Sequence, residues 1–521
     1  MRPAISAASI GSAPPKAARF GPAFTGKRNA FTQAAAPALL LLRPIRTLES
    51  IIPPPPQTRT SNPNMLKNLS TFSALALLLP LSAGWLCAEE ASSAKHREPR
   101  VIARLFWQNE AAATVQCADL IQGDKWTLAP QPVTDFPTID IDSQSLVQME
   151  AIGNVLLVGV RDAEDGELES GWIAIDAGAV EEEHGDHTHW RFPHAPKVLA
   201  QRLDDQQGNP AHLYQYDGAF YLANDQNDGF TRIRPKQLAG DNAEQAATFF
   251  SGGGDHITLA AVDDQVAYST WIDRDGDNQG RIDVVNLRDD QAGKGNYTIQ
   301  TPTGGLHGAT ANSGRVFFAP ADGICWVDAD RNLSQNEKTA EVHHLSLGED
   351  PETERPLRTG AFANAGHWVT FTSRSSDESF LGLIDATATE PTIQKLPLET
   401  AEGLRLTTPR ILETPSGLKM AFLFQDRHDG DAEEQLSVVN LDPDRDGDFS
   451  DAKLVKSMPV GRSKVVGHSG HHDICVLPGG RYACVTNPGD GTIWVLSLTK
   501  LEVLEKISVD AAPGRIVTVG K

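Results

Sequence analysis

From Val101 onward the hydrophobic positions come in short runs of about six to nine residues, some alternating and some continuous, and each run ends in a cluster of Gly, Asp, Asn or Pro. Alternation with a period of two, bounded by turn residues, predicts strands; a helical period is almost absent. The runs group in fours at a spacing of roughly 45–60 residues, which is the period of a β-propeller blade. The last complete group is the clearest: HHDICVLPGG (471–480) is an inner strand, RYACVTNPGD (481–490) the second, TIWVLSLTK (492–500) the third and VLEKISVD (503–510) the outermost. Within it, V-T-N-P-G-D-G-T-I-W-V-L resembles the YVTN type of propeller repeat. Six earlier groups begin at Ser145, Ala211, Asp255, Leu306, near Arg358 and at Leu404, which makes seven units.

Two ends remain. GRIVTVGK (514–521) reads as one more inner strand, and VIARLFWQ, ATVQCADL and TLAPQPVTD near the N-terminus read as three outer strands without an inner one. Together they predict an eighth blade closed by both termini, which removes the exposed sheet edges of an open ring. The expected fold is therefore all-β: a single propeller of eight four-stranded blades over residues 98–521, with seven blades as the alternative count. A ring of blades needs no single central core, so the length is no obstacle.

Composition changes the picture at the N-terminus. Residues 1–64 are rich in Ala, Pro, Arg and Ser and cannot build a core. Met65 then opens MLKNLSTFSALALLLPLSAGWLCAEE, where Lys67 precedes an apolar run ending in a small residue, Ala88. This reads as a secretory signal peptide over 65–88, too short and wrongly flanked for a spanning helix. Residues 1–64 are then expected to be an over-called extension, 89–97 a linker, and the mature protein periplasmic, monomeric and free of membrane insertion. A net charge of −22 argues against nucleic acid and anionic membrane surfaces and is compatible with attraction of cations. After the signal only Cys117, Cys325, Cys475 and Cys484 remain, with no CxxC, so a thiolate zinc site is not expected. Cys475 and Cys484 flank a Pro-Gly-Gly turn at positions that pair across a hairpin; a disulfide and two neighbouring thiols both fit there.

The candidate chemistry lies in the histidines. Glu181–His194 reads EEEHGDHTHWRFPH and is the stretch densest in metal-ligand side chains, with His184, His187, His189 and His194 beside Glu181, Glu182, Glu183 and Asp186. Imidazole with carboxylate is the set that zinc takes where thiolate is absent. A second, dispersed set is in register with the blades. His212, His256 and His307 each stand at the start of an inner strand, 44 and 51 residues apart, and His471 and His472 hold the same position in the last complete blade, with His468 just before. Inner-strand starts meet at one mouth of the channel, so these imidazoles are expected to converge on a metal. The His-rich loop joins a third strand to a fourth, which in a standard blade lies at the opposite face, so it is expected either to form its own site or to fold around. His343 and His344 fall on an outermost strand, and His96, His367 and His428 lie in turns or polar segments. The loops DRDGDNQGRID (273–283) and DPDRDGDFSD (442–451) have the alternating Asp of calcium loops but lack the final Glu of an EF-hand, and Asp-Gly is also ordinary turn chemistry.

With these residues in view, the chain resembles the AztD-type periplasmic zinc metallochaperones. The resemblance rests on WIAIDAGAVEEEHGDHTH (172–189), NPAHLYQYDGAFYLAND (209–225), GLHGATANSGRVFFAPADGICWV (305–327) and LEVLEKISVDAAPGRIVTVG (501–520), with H-G-D-H and G-L-H-G its most specific parts. It implies a propeller that binds zinc and hands it to the solute-binding protein of a zinc ABC importer. Carried over by position, it implies His184, Asp186, His187 and His189 in the loop, His212, His256 and His307 at the inner-strand starts, and one of His468, His471 and His472. The chain departs from the family in its H-T-H after H-G-D, and Thr303 and Ala319 stand where the family's cysteines are expected. Two other readings stay open on the residues alone. One is a metalloenzyme with zinc or copper, although no electron-transfer Cys/Met constellation and no nucleophile motif appear. The other is an interaction propeller whose histidines are incidental.

Overall fold

The structure, a computed structural model, describes residues 98–519 except 163–168, 185–186, 239–245, 274–275, 290–291 and 415–416. The expected extension, signal peptide and linker lie outside the described residues. Among those described, no helix is long and apolar enough to cross a membrane.

Eight antiparallel sheets follow one another round the ring. Blade 1 is built from Gln144–Ile152, Val155–Asp162, Ser170–Asp176 and Lys197–Asp204, from inner to outer. Blades 2 to 7 follow in chain order, with inner strands at Leu213–Tyr216, Leu259–Val262, Ala309–Asn312, Ala363–Ala365, Leu404–Leu406 with Arg410–Glu413, and Asp473–Val476. Blade 8 takes its inner strand, Pro513–Val519, from the C-terminus and its other three, Arg100–Asn109, Thr114–Gln122 and Trp126–Gln131, from the N-terminus. The register that closes the ring runs from Arg104 opposite Val519 to Asn109 opposite Pro513. The eight-blade count and the closure by both termini are as the hydrophobic pattern predicts.

The hydrophobic residues explain why the ring is continuous. Eight buried clusters sit one at each junction between neighbouring blades. Leu157, Trp172 and Ala174 of blade 1, for example, pack on Leu213, Phe220 and Leu222 of blade 2. Phe106, Val115 and Val519 of blade 8 meet Met149, Leu156 and Ile173 of blade 1. Strands that face a neighbour on both sides are apolar on both faces, which is why the second and third strands of each blade read as nearly continuous apolar runs.

Two stretches differ from the expected pattern. The inner strand of blade 6 is not one run over 404–417 but two short pieces on either side of Thr407-Thr408-Pro409, both paired with Lys419–Arg427. Pro409 has no N–H for the ladder, and the Thr407 hydroxyl takes the Phe424 N–H instead (3.1 Å). The His-rich stretch of blade 1 is not an open loop but a two-stranded ladder, Val180–His184 with His187–Arg191. Trp190 and Phe192 lay its foot on the cluster between blades 8 and 1. Cys475 and Cys484 stand directly opposite each other, as the spacing suggests, and both are buried free thiols. Hydrogen bonding to Cys475 and burial hold the Cys484 thiol well above its ordinary range.

Arg104 ties this hairpin to the closing blade. Its buried guanidinium makes two bonds to Asp119 (2.7 and 3.0 Å) and donates to the Ala177 and His194 carbonyls at 2.8 and 2.6 Å. Replacing it, as in Arg104→Leu, strands the buried Asp119 carboxylate and frees the hairpin's foot. The expected loss is about 3–5 kcal/mol, read as a lower urea midpoint; a change below about 0.5 kcal/mol would contradict this role.

Candidate metal centre

Antiparallel alternation brings every inner-strand start to one end of the ring, so residues just ahead of those strands meet at one mouth. His212 and His256 do so directly: their Nε2 atoms lie 2.9 Å apart. His307 joins them, with ring centroids 5.9 Å from His212 and 5.5 Å from His256. A fourth ring, His468, lies 6.1, 6.3 and 6.3 Å from His212, His256 and His307 and is thus nearly equidistant from all three. The ligand atoms of His212, His256 and His307 fall within 4.8 Å of one another, close enough for one ion.

The surroundings aim these rings. His256 Nδ1 is 2.9 Å from the carboxylate of Asp225, a buried residue at the end of the second strand of blade 2 that also accepts the Ile257 N–H (3.1 Å). His307 Nδ1 is 3.1 Å from the Gly360 carbonyl. An acceptor at Nδ1 places the proton there and leaves the Nε2 lone pair free for a metal, the arrangement that fixes the tautomer of metal-binding histidines. The second Gly of G-L-H-G has a steric cause. Gly308 has φ +146°, and a Cβ there would lie 3.0 Å from the Gly360 oxygen on which His307 rests. His212 Nδ1 faces the Gln148 side-chain amide at 3.5 Å, and the same Gln148 accepts the Leu213 N–H (2.9 Å).

Electrostatics favour the neutral form of three of these rings. Burial, then the neighbouring imidazoles His256, His307 and His468, hold His212 well below the usual histidine range. Burial also lowers His307 and His468. Neutral imidazole is the form that binds metal. The donor set fits zinc: a tetrahedral ion with Zn–N bonds of about 2.0–2.1 Å holds its nitrogens about 3.3 Å apart, so the His212–His256 contact opens by a few tenths of an ångström when a metal replaces the shared hydrogen bond. Ala319 is wholly buried, its carbonyl accepting the His307 N–H (3.0 Å), and the Thr303 hydroxyl donates to Asp322 (2.6 Å). No cysteine takes part, as the sequence indicates at these two positions.

The other sequence-level candidates fall elsewhere. His471 and His472 do not face the cluster. Both turn Nδ1 onto the buried Asp426, each at 2.7 Å, and His472 Nε2 reaches the Gly461 carbonyl (3.2 Å). Asp426, Glu434 and His472 are close enough together to hold an ion. Their atoms are already engaged, however: Glu434 accepts the Arg427 and Ser463 N–H groups at 2.7 and 2.8 Å. The trio acts as a polar staple between blades 6 and 7. His471 and His472 stand just ahead of the inner strand, so their register is right, but the buried carboxylate on blade 6 captures both rings; His468, three residues before His471, reaches the mouth because it rides on a projecting turn.

The His-rich hairpin springs from the opposite end. Ala177 donates to the Asn154 carbonyl and Ala179 to the Asn154 side chain, both at 2.9 Å. Asn154 sits in the turn that ends the inner strand of blade 1, away from the mouth. The ladder pairs His184 with His187 and Glu182 with His189, so these four positions alternate onto one face. Glu182 also bonds Arg191 (2.8 Å). Asp186 and Gly185 lie outside the described residues. Of the acidic loops, Asp442, Asp444 and Asp446 cluster, but the Lys419 ammonium sits 3.1 Å from Asp442, and Asp444, Asp446 and Asp448 each cap a backbone N–H two residues on. Asp273 likewise takes the amides of Gly276 and Asn278. These carboxylates form turns.

No family sequence model matches the chain, and no curated protein matches it. Among solved structures it superposes on AztD from Citrobacter koseri with a TM-score of 0.53 and 18% identity, covering 81% of this chain and 99% of that one. The apo form of that AztD aligns with a TM-score of 0.51 and 17% identity, over 81% and 98%. The chain has the AztD fold. The two folds superpose although fewer than one aligned residue in five is identical.

The lowered histidines set the pH response of metal binding. A free histidine is half protonated near pH 6.5, whereas the pKa of His212, His307 and His468 is lowered below that value, so each keeps its metal-binding form to lower pH. Their contribution to folding is fully present above pH 6.5 and is lost as pH falls through their lowered values. Metal affinity measured by chelator competition is expected to be nearly flat from pH 7.5 to 6.5 and to fall only below it. A tenfold loss already at pH 6.5 would contradict the buried, neutral cluster.

Proposed function

We propose that the protein is an exported zinc carrier. It holds zinc at the propeller mouth through His212, His256, His307 and His468 and passes the ion to the solute-binding protein of a zinc ABC importer. The observation that carries this reading is the convergence of His212, His256 and His307 from three blades within reach of one ion, two of them braced by a carboxylate and a carbonyl, with the His468 ring 6.1–6.3 Å from each. The AztD fold and the signal-like stretch at 65–88 support it. A tetrahedral ion with four protein ligands keeps no open position for a substrate, whereas a catalytic zinc keeps one; carriage fits this donor set better than hydrolysis does. The all-imidazole set also lacks the thiolate of an electron-transfer copper centre.

The ladder positions His184, His187 and His189, with Asp186 between the two strands in sequence, are the second element of the proposal. It is a capture site at the other end of the ring, weaker than the mouth because its ligands come from one two-stranded ladder. Zinc titration of the protein against a competing chelator tests both elements. The unaltered protein is expected to take up two zinc ions. A variant with His184, His187 and His189 changed to Ala keeps one, the tighter; His212→Ala with His256→Ala loses that one. Absence of stoichiometric zinc in the unaltered protein would overturn the carrier reading in favour of an interaction propeller.

A further inference from the structure

The four histidines of the mouth are not equivalent. His212, His256 and His307 are fixed on the stems of inner strands, buried or half-buried, with Nδ1 of two of them held by Asp225 and Gly360. His468 is exposed, and it stands at the turn of a small projecting hairpin, 464–470. That hairpin is held together by Lys464 N–H to Gly470 O (2.8 Å) and a Val466–Ser469 bridge with bonds of 3.0 and 3.1 Å. Its feet are pinned: Ser463 to Glu434, Gly470 N–H to the Glu110 carboxylate (3.1 Å), and His471 and His472 to Asp426. Its tip is not. Val466 is 73% exposed, and Gly467 beside it has φ +61°. On one flank, Ser463, Lys464 and Val465 border a cavity of about 520 Å³, open space where packed side chains would otherwise hold the arm.

We infer that His468 is the first ligand exchanged at the mouth: transfer begins with detachment of this one imidazole on its hairpin while the other three still hold the ion, and those three are then replaced one at a time by ligands of the acceptor. This rests on the zinc-carrier reading above and adds the route of transfer. When the hairpin swings toward the cavity, the Zn–His468 bond breaks and a neutral imidazole or carboxylate of the acceptor takes the vacated place. Coordination stays at four, and with a neutral incoming imidazole no proton moves. The acceptor approaches from the Val466 side, because His468 is the exposed member of the four.

The test is stopped-flow zinc release to a chromophoric chelator, with stoichiometry and the visible spectrum of the cobalt-loaded protein measured alongside. His468→Ala is expected to keep one tetrahedral metal at the mouth, with water in the fourth place, and to release it at least about tenfold faster. His256→Ala loses stoichiometric binding at the mouth. Glu110→Ala loosens one foot of the hairpin while leaving all four ligands in place, and is expected to speed release with unchanged stoichiometry. The inference is overturned if His468→Ala abolishes binding as His256→Ala does, or if release is unchanged in both His468→Ala and Glu110→Ala. If the unaltered protein itself takes no zinc at the mouth, the carrier reading fails first, and that outcome is distinct from either of these.

Discussion

Everything at the mouth depends on the ring being closed. The pairing of Pro513–Val519 with Arg100–Asn109 joins the two ends of the chain in one blade, and with it the last two of eight inter-blade clusters come into being. An open ring would leave two sheet edges unpaired and let the blades splay. The metal centre draws on residues from blade 2 at His212 to the arm before blade 7 at His468, so a small change in inter-blade angle would separate rings that now lie within about 6 Å of each other, far more than a metal–ligand bond tolerates. The centre is therefore a property of the ring and not of any one segment.

The same geometry accounts for the chemistry. Burial alone disfavours a charged imidazole, and several imidazoles together disfavour it further. The result is that His212, His307 and His468 favour the neutral form at pH values where ordinary histidine protonates. Asp225 adds the counter-charge behind His256 without entering the cluster, and Arg161 contacts the same carboxylate at 3.3 Å. A cation entering such a site meets four lone pairs and a nearby negative charge, while a carboxylate ligand that would bind it more rigidly is absent from the four rings. Strong holding and ready exchange are reconciled by placing three ligands on strands and one on an arm.

Much of this was legible in the chain. The period of the strand groups and the unpaired strands at either end determined the blade count and the closure, because alternation and turn residues are local signals. The register of His212, His256 and His307 was legible for the same reason: equal positions in successive blades must meet. The tips of the ring were harder. His471 and His472 occupy the matching position but are captured by Asp426, a contact across 45 residues that no local pattern marks. His468 reaches the mouth because of the excursion at 464–470, and its only trace in the sequence is the Gly467-His468-Ser469-Gly470 turn composition. The His-rich stretch reads as a loop by composition, yet Trp190 and Phe192 give its second flank the apolar anchors that lay the ladder on the ring. The end of the ring from which it springs follows from the strand count, as the connectivity of a standard blade requires.

The central claim is that four imidazoles from separate blades hold one zinc at the mouth, and its most direct test is zinc-edge anomalous diffraction from crystals of the zinc-loaded protein. The account predicts a strong anomalous peak at the mouth, about 2.0–2.1 Å from a ring nitrogen of each of His212, His256, His307 and His468. Anomalous density confined to the hairpin at 180–191 or to the Asp426 staple, with nothing among the four rings, would contradict it.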